Sequence, residues 1–161
     1  MTQDLYLIIP AGSDAGRIVE SFDGLPAGDA PQAVLYDPAG HSDAESKRVV
    51  KTIQAKNIAV IIKDDVEKAL SLSADGVQTA YGAGIKNIRK RIGDSVLGVV
   101  CASRDEAMRA GEAGADYIGF DGDAAATLTQ WWSELFTLPC VDFNVDHPSE
   151  AADFRIRILS F

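Results

Sequence analysis

Apolar residues fall into short uninterrupted runs along the chain, separated by longer polar stretches. The runs are "LYLIIP" (5–10), "AVLYD" (33–37), "IAVIIK" (58–63), "GVQT" (76–79), "VLGVVC" (96–101), "DYIGF" (116–120), "CVDF" (140–143) and "FRIRILSF" (154–161). Most are continuously apolar rather than alternating. A strand covered on one face alternates, whereas a strand covered on both faces reads as a continuous run, the habit of parallel sheets. Five of the intervening stretches carry helical spacing. Residues 42–56 open on Ser42 or Asp43 and place Val49, Val50 and Ile53 on one side. Residues 64–73 open on acids, which suit a helix N-terminus. Residues 84–93 place Ile85, Ile88 and Ile92 on one face and stop at Gly93, a C-cap residue. Residues 103–114 begin with a capping-box pattern, Ser103 to Glu106, and end at Gly114. Residues 126–136 put Leu128, Trp131, Trp132 and Leu135 on one broad face.

The predicted order is strand then helix, repeated, with eight strands. Such alternation makes a parallel sheet with right-handed crossovers, and eight units predict a closed (β/α)8 barrel. Barrels usually take about 200 residues or more. A single barrel domain over residues 1–161 therefore requires very short loops and no final helix after the eighth strand. The alternative is an open doubly wound parallel sheet. Both architectures place a ligand at the carboxyl ends of the strands. An Ala-Asp pair opens an apolar run at residues 74, 115 and 152. The spacing of about 40 residues is near that of two strand–helix units. Asp75, Asp116 and Asp153 are expected to bond turn backbone on the amino-terminal face, opposite the chemistry.

Charge and composition then exclude function classes. The net charge of −9 opposes polyanion binding, so no nucleic-acid and no anionic-membrane partner is expected. The one basic run, "KNIRKR" (86–91), is read as a solvated helix face. No apolar stretch approaches the roughly 20 residues of a membrane span, and the amino-terminal stretch lacks the pattern of a signal peptide. Cys101 and Cys140 lack metal-type spacing and are read as buried reduced thiols of a cytoplasmic protein. His41 and His147 have no nucleophile partner in a motif. One of Trp131 and Trp132 is expected to pack on the sheet, leaving the other for a homodimer contact.

The stretches "VIIKDDVEKALSLSADGVQ" (60–78) and "LGVVCASRDEAMRAGEAGADYIGF" (97–120) resemble the thiamine-phosphate synthase family, which includes thiazole-tautomerase relatives. The resemblance implies a (β/α)8 barrel whose enzyme joins a pyrimidine diphosphate to a thiazole phosphate using Mg²⁺. It assigns the third strand end, Lys63 and Asp64, to the catalytic site, with Asp64 as the metal ligand. Several family features are replaced. The basic stretch after the second strand is "YDPAG" (36–40). The family Asn falls on Lys63, the following Arg on Asp65, the second metal Asp on Ala83, and the fifth-strand Ser on Val100. The long loop after the sixth strand shrinks to "FDGDAAA" (120–126), and "FNVD" (143–146) occupies the Gly-Gly phosphate loop. The synthase constellation is thus largely missing.

Candidate ligand-binding positions are Gln78, Thr79, Gly82, Gly84, Asp121, Asp142 and Asn144, with Asp37 and Cys101 also at strand ends. A small phosphorylated or heterocyclic ligand is expected there. Lys63 reads as a pKa-shifted lysine or phosphate contact, or as half of a Lys–Asp pair beside an N-capping Asp64. "TAYGAGIKNI" (79–88) reads as a phosphate-holding turn near Lys86 or as a flexible turn. A non-catalytic interaction protein and an active synthase with an altered site stay open beside the ligand-binding barrel.

Overall fold

The computed structural model describes residues 3–82, 84–144, 146 and 149–160. Eight parallel strands close into a barrel in sequence order: β1 (Asp4–Ile9), β2 (Ala33–Tyr36), β3 (Ala59–Lys63), β4 (Gly76–Ala80), β5 (Val96–Cys101), β6 (Tyr117–Phe120), β7 (Cys140–Asp142) and β8 (Phe154–Ile158). Closure excludes the open doubly wound sheet. Helices follow the first six strands: α1 (Ala15–Asp23), α2 (Asp43–Gln54), α3 (Val66–Ser71), α4 (Ile85–Ile92), α5 (Arg104–Glu112) and α6 (Ala125–Leu135). Among the described residues no helix separates β7 from β8. No helix is long and apolar enough to cross a membrane.

Helix α1 is absent from the expectation drawn from sequence. Its signals are an Asp14 cap, whose Oδ1 accepts from Arg17 N at 2.9 Å, and a buried stripe of Ile18, Val19 and Phe22. Gly16, a poor helix former, stands in its first turn. Helix α2 starts on a full capping box: Ser42 Oγ accepts from Glu45 N, and Ser42 N donates to Glu45 Oε1. The cap of α3 is Asp65, whose Oδ1 accepts from Lys68 N at 2.9 Å. Asp64 instead takes a left-handed turn (φ 58°) and donates its N–H to Gln78 O at 2.7 Å.

Both faces of the strands are buried, which explains their continuous apolar runs. On β2, Val34 and Tyr36 pack in the layer between sheet and helices, while Leu35 packs inside the barrel. The interior is filled by Tyr6, Leu35, Ile61, Tyr117 and Val141, with Phe143, Phe154 and Ile156 partly buried against them. Each such side chain contributes about 1.5–3 kcal/mol on removal from water. Glycines make room for the rings. A Cβ on Gly98 would lie 2.1 Å from Tyr117 Cζ, and one on Gly119 would lie 2.5 Å from Phe143 Cε2.

The repeated Ala-Asp pairs clasp neighbouring strands at the amino-terminal rim. Asp75 Oδ2 accepts from Val60 N at 2.7 Å, Asp116 Oδ2 from Leu97 N at 2.8 Å, and Asp153 Oδ2 from Cys140 N at 2.8 Å. The backbone N–H of each Asp donates back to the carbonyl of the same partner. Each carboxylate thus supplies an acceptor to an N–H at the start of the preceding strand. The β1–β2 pair has Gln32 at this place. Its N–H donates to Leu5 O at 2.9 Å, and among the described residues its side chain makes no such bond.

Candidate functional site

Strand parity decides which residues reach the centre of the carboxyl-terminal rim. Side chains alternate across a sheet. On β3, Ile61 faces inward, so Lys63 does too. Gln78 and Ala80 on β4 and Val100 on β5 follow by register. These residues line a cavity of about 650 Å³ at the strand ends, together with Asp37, Asp64 and Asp121. Its walls are apolar: Ile8 and Ile158 on one side, Leu35, Val100 and Phe143 on the others. A smaller hollow of about 360 Å³ shares Asp37, Lys63 and Asp64 and adds His41, Asp65 and Lys68.

The mouth carries three carboxylates, Asp37, Asp64 and Asp121, against one ammonium, Lys63. Asp37 Oδ1 accepts from Ala39 N at 3.0 Å, and Asp121 Oδ1 accepts from Gly122 N at 2.7 Å. His41 braces the rim. Its Nε2 donates to Ser13 O at 2.5 Å, and its Nδ1 lies 2.5 Å from the Tyr36 hydroxyl. The floor is Gln78, a polar residue only 5% exposed. Its Oε1 accepts from Tyr117 Oη at 2.6 Å, and Tyr117 Oη lies 2.7 Å from Tyr6 Oη inside the barrel.

Of the catalytic and ligand-binding positions expected from sequence, the cavity brings together Lys63, Asp64, Gln78 and Asp121, and it adds Asp37, the strand-end residue of β2. The other five, Thr79, Gly82, Gly84, Asp142 and Asn144, lie elsewhere. Thr79 sits between the two inward residues of β4 and faces away. Gly82 lines a separate hollow of about 250 Å³ with Tyr81, Lys86 and Arg109, and Gly84 is the cap position of α4. Asp142 alternates with inward Val141 and Phe143 and is 1% exposed. Its two oxygens accept from Asn144 N at 2.9 Å and Ser149 N at 2.8 Å, so it shapes the connection to β8. Asn144 ties that connection to the turn after β6, donating from Nδ2 to Gly122 O at 3.2 Å. Cys101 is buried on the outer face of β5. Ala83 and His147 lie outside the described residues. Sequence reasoning missed Tyr6, Tyr117 and Phe143; the one local signal was parity on β6, where counting back by two from Asp121 passes Gly119 and reaches Tyr117.

The Mg²⁺ of the resembling family does not fit the residues present. Among the described residues no three His, Cys, Asp or Glu side chains converge on a point that could hold a metal ion. Mg²⁺ is usually held by one or two carboxylates together with substrate phosphates, and of the two metal Asp positions the resemblance implies, Asp64 is kept while the other is Ala83.

Burial sets the ionisation of the interior. It pushes the Tyr6 and Tyr117 hydroxyls above their ordinary range. It pushes Cys101 up to about 12, aided by the charge of Glu106, and Cys140 up to about 12, aided by Asp153. A folded-state pKa above the unfolded value means that the unfolded chain loses its proton first. Stability is therefore expected to hold below the ordinary thiol range, about pH 8.5, and to fall as pH rises toward 12. Melting temperatures between pH 7 and 11 check this. A flat profile would contradict the buried assignment.

Comparison with known proteins follows the same lines. The sequence profile of the thiamine monophosphate synthase family matches residues 5–141. The chain is 35% identical over 158 residues to the thiamine-phosphate synthase of Erythrobacter litoralis, covering 85% of this chain and 74% of that one. It is 31% identical over 155 residues to that of Rhodospirillum centenum, covering 85% and 75%. The solved thiamine phosphate pyrophosphorylase from Pyrococcus furiosus superposes with a TM-score of 0.74 at 18% identity, covering 96% of this chain and 85% of that one. At that identity the superposition speaks for the fold alone. The profile and the two synthase relatives agree on the lineage, and the chain belongs to the thiamine monophosphate synthase family.

Proposed function

We propose that this chain is a ligand-binding member of its family. It keeps the strand-end cavity for a small heterocyclic or phosphorylated compound of thiamine metabolism and does not carry out the diphosphate-displacing reaction. The charge of the mouth supports this reading. A diphosphate needs a metal ion, several Lys or Arg side chains, or a cradle of backbone N–H groups to bind and to leave. Among the described residues the cavity offers Lys63 alone, opposed by Asp37, Asp64 and Asp121. Lys63 would hold a single phosphate or an acidic edge of the ligand, Asp64 would take its donor groups, and the apolar walls would sandwich a ring.

Calorimetric titration with thiamine phosphate, thiazole phosphate and the pyrimidine diphosphate, each with and without Mg²⁺, tests this. Binding of at least one compound is expected, insensitive to Mg²⁺, with no thiamine phosphate formed from the two precursors. Silence against all three would remove the ligand-binding role, and product formation would restore the synthase. An active synthase is the second reading, favoured by the 35% identity to a protein of that name. The same product assay decides it, and activity surviving both Lys63→Ala and Asp64→Ala would place the chemistry elsewhere.

A surface role is less supported. Trp132 is buried, stacks on Phe136 and donates to Leu138 O at 2.8 Å. Trp131 is half-buried, with the Arg104 guanidinium 5.0 Å above its ring.

A further inference from the structure

We propose that Gln78 is the specificity-determining residue of the cavity. Its amide is held with the N–H₂ group pointing to the ligand, so the site selects compounds that present a hydrogen-bond acceptor on their deep edge. This rests on the reading that the cavity holds a small ligand.

The orientation of an amide is settled by its hydrogen-bond network. Three groups form one chain here: Tyr6 Oη, Tyr117 Oη and the Gln78 amide. Each hydroxyl has one proton to place. Tyr6 is 2% exposed and its ring meets those of Tyr117, Phe143 and Phe154 edge-on, with centroids 5.9, 6.1 and 6.0 Å away. Among the described residues Tyr117 Oη is the only partner of the Tyr6 hydroxyl. If the chain ran from Gln78 to Tyr6, the Tyr6 proton would end among aromatic rings with no acceptor. A buried donor left without an acceptor is rarer than an oxygen with a lone pair unused, because the hydroxyl has one proton and two lone pairs. The chain therefore starts at Tyr6, passes through Tyr117 and ends on an acceptor, Gln78 Oε1.

That polarity leaves the Gln78 N–H₂ group free. It has no partner among the described residues, and the side chain lines the cavity floor. A ligand seated on it must offer a ring nitrogen or a carbonyl oxygen. The rim asks for the opposite character, since Asp37, Asp64 and Asp121 outnumber Lys63 and favour N–H donors or positive charge. Between floor and rim, Leu35, Val100 and Phe143 supply apolar wall for a planar ring. The class defined is a flat heterocycle, an acceptor at one edge and an amine at the other. Tyr117 and Tyr6 act through Gln78 and are positioning residues.

Two fragments isolate the floor contact. At pH 7, 3-(aminomethyl)pyridine and benzylamine are both ammonium ions with one six-membered ring, and they differ by the ring nitrogen. Titration of the uniformly ¹⁵N-labelled chain, followed by proton–nitrogen correlation spectra, is expected to give about tenfold tighter binding of the pyridine. The Gln78 side-chain resonances shift only with that fragment. Gln78→Glu keeps an acceptor for Tyr117 but loses the N–H donors, and the preference disappears. Tyr117→Phe unlocks the amide and reduces the preference several-fold while the amide spectrum stays dispersed. Should Tyr117→Phe fail to fold, the wild-type pair and Gln78→Glu still decide. Equal affinity for the two fragments, unmoved Gln78 resonances, or no binding of either would overturn the assignment. Failure of the cavity itself as a binding site would appear separately, as silence in the calorimetric titrations with the thiamine-pathway compounds.

Discussion

Gly98→Val is expected to destabilise the barrel by on the order of 3 kcal/mol, a large fraction of a domain's total stability. Gly98 faces inward on β5, and the ring of Tyr117 from β6 occupies the space where its side chain would be. The nearest approach of an added Cβ would be 2.1 Å to Cζ and 2.4 Å to the hydroxyl oxygen. No rotamer adjustment of a few tenths of an ångström relieves such an overlap. The ring must leave, and with it go the bonds to Gln78 and Tyr6. The cost therefore combines overpacking with a buried hydroxyl that loses its partners. Urea unfolding reads it as a midpoint lowered by about 1.5 M for a slope near 2 kcal/mol/M. Pairing the change with Tyr117→Ala, which vacates the space, should restore part of the loss. An unchanged midpoint in the single variant would mean that the interior has slack the packing does not show.

The second large effect is expected from the three rim clasps together. Replacing Asp75, Asp116 and Asp153 by Ala should cost about 1–2 kcal/mol each, because each leaves a backbone N–H at the start of a buried strand without its acceptor. The lower part of that range suits carboxylates open enough for water to substitute. The sites lie on different strand pairs and share no partner, so the triple variant should lose about 4 kcal/mol by simple addition. Asn at the same positions keeps an acceptor oxygen and should recover most of the loss. If Asn were as damaging as Ala, charge rather than acceptor geometry would be the active property. For Asp116 the 2.9 Å pair with Arg89 would then be the first suspect.

The barrel was legible because parallel strands bury both faces. Runs such as "VLGVVC" split between two cores, with Val99 toward the helices and Val100 toward the cavity, and so admit no polar residue between them. Helix α1 was not legible because its apolar stripe holds only three large residues and its first turn contains Gly16. The site was half legible. Position at a strand end found Lys63, Gln78 and Asp121, but position alone does not say which way a side chain points. Asp142 and Thr79 fail on parity, since each lies between two inward neighbours. Tyr6 and Tyr117 sit deeper in the barrel than the strand ends, so they matter through a hydrogen-bond chain that no local pattern announces. The family resemblance was carried by the helix-to-strand joints, which belong to the rim clasps and not to the cavity.

The Asp153 clasp has a mechanical consequence. Every other neighbouring pair of strands is registered over three or more residues, whereas among the described residues β7 and β8 share one registered pair, Val141 and Phe154. No helix among the described residues lies across that seam. The ring is therefore closed by its thinnest weld, and the Asp153 carboxylate on Cys140 N is the rivet beside it. Local opening begins where pairing is thinnest. Here that place borders the cavity wall made by Phe143 and Ile158. Breathing of the barrel and access to its cavity are in this way assigned to the same side of the molecule.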